Sequence, residues 1–167
     1  MNKNTQKKFY MNKALIYLSF CLLLTAGTLG AQSNCFDALV NNEALKAKKI
    51  SINDKFVILD FWHSACTPCL SSFVMNRKTI SKLNTRKVLF ISVSVDNSIE
   101  KMEKILKKYK LTWLNINDKN QGITSCFKID GYPTAILLNK NNEELKRSYS
   151  LHEILNDSLI IHLSHSK

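Results

Sequence analysis

Three short runs of the chain are apolar almost without interruption: Phe56-Val-Ile-Leu-Asp-Phe61, Val88-Leu-Phe-Ile-Ser-Val-Ser-Val95 and Thr134-Ala-Ile-Leu-Leu138. Runs of this kind, rich in strand formers, predict buried strands at Phe56 to Phe61 and Val88 to Val95, while Thr134 to Leu138 reads as the first arm of a hairpin. Elsewhere the apolar positions recur at helical spacing. From Phe36 to Ala47 they are Phe36, Leu39, Val40, Ala44 and Leu45, with Asn34 a candidate cap; from Cys66 to Asn84 they are Leu70, Phe73, Val74, Ile80 and Leu83. Ile99 to Tyr109 predicts a lysine-rich amphipathic helix, Thr112 to Ile116 a short strand, and Leu151 to Leu163 a closing helix. Glu144 to Tyr149 reads as the return arm of a hairpin through Asn139-Lys-Asn-Asn142. The order is βαβα followed by ββα, that of a single α/β unit. No repeat, Pro/Gly/Ser-rich linker or like-charge block marks a second domain.

The first 31 residues have a different pattern. Lys3, Lys7, Lys8 and Lys13 precede an uncharged stretch from Ala14 to Phe36, whose core Ala14-Leu-Ile-Tyr-Leu-Ser-Phe-Cys-Leu-Leu-Leu24 is followed by the small-residue segment Thr25-Ala-Gly-Thr-Leu-Gly-Ala31. A basic start, an apolar centre and a small-residue end are the parts of an export signal, with cleavage expected after Gly30 or Ala31. A retained membrane anchor is the alternative. Residues 1–31 are therefore expected to be a signal peptide and 32–167 the folded domain, in an extracytoplasmic or periplasmic location. With 45% hydrophobic and 22% charged residues, that domain has enough apolar surface for a core.

Export also changes the charge argument. The whole chain carries 24 Lys+Arg against 13 Asp+Glu, a net +11 that suggests a nucleic-acid or anionic-membrane partner. Without its signal it retains 20 basic residues against the same 13 acids, a net +7. Lys101, Lys104, Lys107, Lys108 and Lys110 read as the solvated face of one helix, and no aromatic stripe accompanies them. A nucleic-acid partner is not expected.

Four cysteines remain after the signal: Cys35, Cys66, Cys69 and Cys126. Cys66-Thr67-Pro68-Cys69 follows a predicted strand directly and opens a predicted helix, the setting in which C-x-x-C reads as a redox pair. Free N–H groups and the dipole at a helix N-terminus favour a thiolate, which makes Cys66 the candidate nucleophile. Cys69 is one turn on, placed to close a disulfide, and Pro68 suits a first turn where its missing N–H goes unneeded. A structural zinc needs four ligands, and one cysteine pair with His63 and a distant Cys126 does not supply the usual two pairs. A structural bridge across two residues would constrain the unfolded chain little. No metal site is predicted. Cys35 and Cys126 are a candidate structural disulfide in an oxidising compartment, with two separate buried thiols the alternative.

Asp60-Phe-Trp-His-Ser-Ala-Cys-Thr-Pro-Cys69 resembles the thioredoxin-superfamily signature, and Gly131-Tyr-Pro-Thr134 resembles its second motif, a cis-proline loop opening the next strand. Cys66 and Pro133 lie 67 residues apart, and the length between them holds Val93-Ser-Val-Asp96, the lysine-rich helix and the Leu111-Thr-Trp113 segment, an insertion similar to that of the exported TlpA/ResA branch. The resemblance spans Ile50 to Tyr149. It implies a thioredoxin fold, a central mixed β-sheet flanked by helices, and assigns Cys66 as nucleophile, Cys69 as resolving thiol, Asp60 as buried proton relay and Pro133 as the cis-proline. Three positions depart from the pattern. Ala65 stands where an aromatic residue usually precedes the first cysteine, Ser72 where the ResA-like subgroup often has a glutamate, and the Glu143 to Tyr149 hairpin lacks the usual glycine.

Thr67, Pro68, Tyr132 and Trp62 complete the candidate substrate contacts, although Trp62 reads first as core packing. His63 is a minor candidate for stabilising the thiolate. His152, His162 and His165 fit no ligand spacing and read as surface residues of the last helix. The expected activity is thiol-disulfide exchange with exported, disulfide-containing proteins, with no cofactor and with a membrane electron donor that restores the dithiol. Apocytochrome c maturation is what the resemblance implies for the partner. A peroxiredoxin-like peroxidase and a non-catalytic thioredoxin-like binding module are the competing readings.

Overall fold

The apolar runs form the middle of a five-stranded sheet. The computed structural model describes residues 35–165; the predicted signal and Asn34 lie outside them. Residues 35–40 form helix α1. There follow α2 (Glu43–Ala47), β1 (Phe56–Trp62), α3 (Thr67–Ile80), β2 (Val88–Ser94), α4 (Ile99–Tyr109) and β3 (Leu114–Asn117), then α5 (Gly122–Cys126), β4 (Thr134–Leu138), β5 (Glu144–Ser148), α6 (Leu151–Leu155) and α7 (Ser158–His165). The strand order is β3-β2-β1-β4-β5. β1 pairs in parallel with β2, and β2 with β3, while β4 runs antiparallel to both β1 and β5. This is the mixed sheet flanked by helices that the thioredoxin resemblance implies.

Each face of the sheet has its own core. Ile58, Trp62, Phe90 and Leu137 pack against α3, α4, α6 and α7 through Phe73, Met102, Leu151 and Ile160. Val57, Leu59, Phe61 and Ile91 face the other way, toward Leu39 of α1, Leu45 of α2 and Ile123 of α5. Central strands covered on both sides need apolar residues at every position, which is why β1 and β2 read as unbroken runs. Each fully buried Leu, Ile or Phe contributes roughly 1.5–3 kcal/mol by leaving water. Asp60 is the charged exception in β1; by the two-residue alternation it shares the face of Ile58 and Trp62, toward α3.

Several boundaries differ from the sequence expectation. The helix expected over Phe36 to Ala47 is two, because Asn41 and Asn42 turn the chain: their N–H groups donate to Asp37 O and Leu39 O, and the Asn42 carbonyl then accepts from Leu45 and Lys46. The closing helix also divides, at Asn156-Asp157. The Asp157 carboxylate accepts the Leu159 N–H at 3.0 Å, so it caps a new helix. Helix α3 stops at Ile80 with Ser81 as its cap, short of Asn84. The strand expected from Thr112 begins at Leu114, since α4 closes through a left-handed Lys110 (φ 52°) and Leu111 N–H still bonds to Leu106 O.

Candidate active site

Cys66 is the N-cap of α3. Its backbone is extended (φ −83°, ψ 91°), and its sulfur accepts the Cys69 N–H at 3.2 Å. This is the orientation in which the open end of a helix favours a thiolate. Pro68 occupies the first turn, and the first cysteine's own N–H donates to His63 O at 3.0 Å. Cys66 and Cys69 are joined as a disulfide with Cα atoms 5.3 Å apart. Cys66 is 6% exposed and Cys69 0%, while Thr67 and Pro68 are exposed between them. A reagent approaching from solvent thus meets Cys66 first.

A second loop faces this turn. The Tyr132–Pro133 peptide bond is cis, and the Thr134 hydroxyl donates to Gly131 O at 2.7 Å across it. The ring of Tyr132 meets that of His63 edge-on, centroids 5.3 Å apart, which brings the cis-proline loop against the residues that lead into the dithiol. Tyr132 is half-buried, and burial followed by the nearby Asp118 charge pushes its phenol pKa up. Tyr149, largely exposed, donates its hydroxyl to Asp130 at 3.0 Å beside the same loop.

Asp60 pairs in the sheet opposite Ala135 of β4 and Ser92 of β2. It is 1% exposed, its Oδ1 has no hydrogen-bond partner among the described residues, and burial raises its pKa well above the ordinary carboxyl range. Trp62, offered by the sequence as a substrate contact, is fully buried and packs T-shaped on Phe73 at 5.2 Å. That removes it from the contact surface and makes it part of the core behind the dithiol. Thr67, Pro68 and Tyr132 remain accessible.

Ser72 is half-buried, and its hydroxyl accepts from Asn76 Nδ2 at 3.2 Å. Ser72 and Asn76 thus form a short neutral pair on α3. Asn76 also bonds Ser72 O and meets the His152 ring, so His152 is tied to α3. Cys35 of α1 and Cys126 of α5 form a disulfide across 91 residues, at a Cα separation of 5.3 Å. Among the described residues no group of three His, Cys, Asp or Glu is placed to hold a metal ion.

One acid was not singled out in the sequence. Asp96, 7% exposed, accepts the Ser64 N–H at 3.1 and 3.0 Å, the Ser64 hydroxyl at 2.6 Å and the Ser94 hydroxyl at 2.8 Å. Ser94 and Asp96 are two residues apart where β2 ends, a spacing that places both on one side; that was the available signal. Its partner Ser64 lies 32 residues away, which no local pattern reveals.

The Thioredoxin-like family model matches residues 53–144. The chain belongs to the thioredoxin-like family. Among curated relatives, ResA of Oceanobacillus iheyensis, a thiol-disulfide oxidoreductase, is 22% identical over 161 residues, covering 85% of this chain and 84% of its own. ResA of Bacillus subtilis is 23% identical over 107 residues, covering 62% and 60%. Among solved structures, the thioredoxin domain of a thiol-disulfide oxidoreductase from Bacteroides vulgatus superposes with a TM-score of 0.56 at 21% identity, over 62% of this chain and 76% of that one. StoA of Bacillus subtilis gives 0.52 at 23%, over 62% and 81%. The structural likenesses show the fold. Together with the family and the paired cysteines, the relatives place this chain among the thiol-disulfide oxidoreductases.

Proposed function

We propose that the protein is exported and reduces disulfides of other exported proteins through the Cys66–Cys69 dithiol. The observation that supports this most is the position of the pair: an outer sulfur at the open end of α3, a buried inner sulfur, and a cis-proline loop beside them. In the reaction the Cys66 thiolate attacks one sulfur of the partner's disulfide. A Cys66–partner bond forms, the partner's S–S bond breaks, and its other sulfur leaves as a thiolate. Cys69 loses its proton to Asp60 and attacks Cys66, which breaks the mixed disulfide and releases the second partner thiolate. Two electrons have passed to the partner, and Cys66–Cys69 is oxidised. Asp60 suits the relay because burial raises its pKa well above the ordinary carboxyl range, which makes its carboxylate a stronger base toward the Cys69 thiol. Thr67, Pro68 and Tyr132 frame the approach, and an exported dithiol donor in the membrane restores the reduced pair.

The export reading rests on the basic and apolar pattern of residues 1–31. Among the described residues no helix is long and apolar enough to cross a membrane. The test is Cys69→Ser expressed in the native host, which leaves mixed disulfides on Cys66 unresolved. Exported proteins attached through a reducible bond are the expected catch, on a protein whose mass lacks Met1 to Leu24. No trapped partner would sink the reductase reading, and a mass that retains those residues would mean an anchored protein.

A further inference from the structure

Asp96 is outside the chemistry described so far, yet it holds the loop that enters the active site. Its carboxylate grips Ser64, two residues before Cys66, through both the backbone N–H and the hydroxyl, and Ser94 secures its other oxygen. Its own carbonyl accepts from Asn117 Nδ2 at 2.9 Å, so the end of β3 fixes it as well. Every donor to the carboxylate is neutral, and both of its oxygens accept hydrogen bonds. Among the described residues no ion pair reaches it. The result is a fixed, largely buried anion, not neutralised by a cation and hydrogen-bonded two residues from the reactive sulfur.

Such a charge acts on the dithiol in a defined direction. The N-terminus of α3 stabilises the Cys66 thiolate, whereas a nearby anion in a largely buried position destabilises it, because charges there are screened less than in bulk water. We propose that Asp96 is a positioning residue that also sets the redox balance: it orders the Ser64 turn and, by its charge, disfavours the Cys66 thiolate and so favours the disulfide form. This makes the reduced protein a stronger electron donor. The proposal rests on the dithiol reading above and adds the group that tunes it.

Asp96→Asn tests the charge. An amide of the same shape keeps an oxygen for the two Ser64 donors, and its NH2 can donate to Ser94, so the loop stays anchored while the charge is gone. In equilibration with glutathione, two glutathione thiols form one disulfide and supply the two electrons and two protons that open Cys66–Cys69. The Asn variant is expected to shift this equilibrium at least threefold toward the dithiol, about 14 mV by the two-electron relation. Ser64→Ala, which loses one hydroxyl bond and keeps the charge, is expected to stay within about twofold of the parent. Equal constants for the Asn variant and the parent would overturn the proposal, as would an equal shift in Ser64→Ala, since that would trace the effect to loop displacement. Should Asp96→Asn fail to fold, Asp96→Glu and Asp96→Gln share one length and shape, differ in charge and in an NH2 donor, and repeat the comparison. The pH dependence of Cys66 alkylation in chemically reduced Cys69→Ser protein, with and without Asp96→Asn, is a separate readout: a lower midpoint without the charge supports the proposal and an unmoved one overturns it. That readout needs no partner, so it decides the role of Asp96 even if the reductase reading fails.

Discussion

Asp60 is 1% exposed with one oxygen unpartnered among the described residues, so ionising it costs the folded protein energy that the unfolded chain is spared. Its folded pKa is raised, and the sign of the pH effect follows. The neutral form is the better tolerated one, so the contribution to stability is complete below the ordinary carboxyl pKa of about 4. It is lost progressively as pH rises through the folded value, at up to about 1.4 kcal/mol per pH unit. Asp60→Asn, which cannot ionise, is expected to melt higher than the parent at neutral pH and to match it near pH 3. Melting curves that run parallel across the range would show that Asp60 carries no such penalty. The same variant is expected to resolve mixed disulfides more slowly near neutral pH, so stability and rate move in opposite directions. Asp60 was legible in the sequence because it is the one charge in an apolar run. Asp96 was not, because its meaning depends on Ser64, brought to it only by the pairing of β1 with β2.

At the scale of elements, the two buried strands and the helix after the dithiol were legible, since burial on both faces and a capping cysteine leave marks in the local pattern. The breaks in the first and last helices were not read, although Asn41-Asn42 and Asn156-Asp157 stand at both: apolar periodicity continues across them, and the capping bond from Leu159 to Asp157 appears only once the chain turns. The Cys35–Cys126 disulfide joins α1 to α5 over the face opposite the active site, on a core lined by Leu39, Ile123 and Phe127. It closes a long loop, for which removal of a bridge costs roughly 2–4 kcal/mol, largely through the freedom regained by the unfolded chain. Replacing both cysteines by serine is expected to lower the unfolding free energy by that amount, read as a fall in the denaturant midpoint at unchanged slope. The Cys66–Cys69 exchange rate should change little, because the bridge and the dithiol belong to opposite faces of the sheet. An unchanged midpoint would mean that the bridge does not form in the folded protein.

At the scale of the whole molecule, the question is which way electrons flow, and three features bear on it together. The open end of α3 favours the Cys66 thiolate and, with it, the dithiol. Between the cysteines stand Thr67 and Pro68, neither of which brings a positive charge to the thiolate. His63 packs edge-on against Tyr132 at 5.3 Å, so its ring is held at the cis-proline loop. With no cation between the two cysteines, the disulfide should be the favoured form and the reduced protein an electron donor. The expected reduction potential, measured by equilibration with glutathione, is near or below about −200 mV. A value near −120 mV, roughly that of strong oxidants, would reverse the assignment and make the protein a donor of disulfides to its partners. The two outcomes also differ in what the cell must supply: a reductase needs a dithiol donor at the membrane to refill Cys66 and Cys69 after each turnover, and an oxidant needs an acceptor to empty them. The redox state of the pair in protein taken directly from the native host therefore provides an independent check. A largely reduced pair, in a compartment that oxidises unprotected thiols, is expected only if such a donor acts on it.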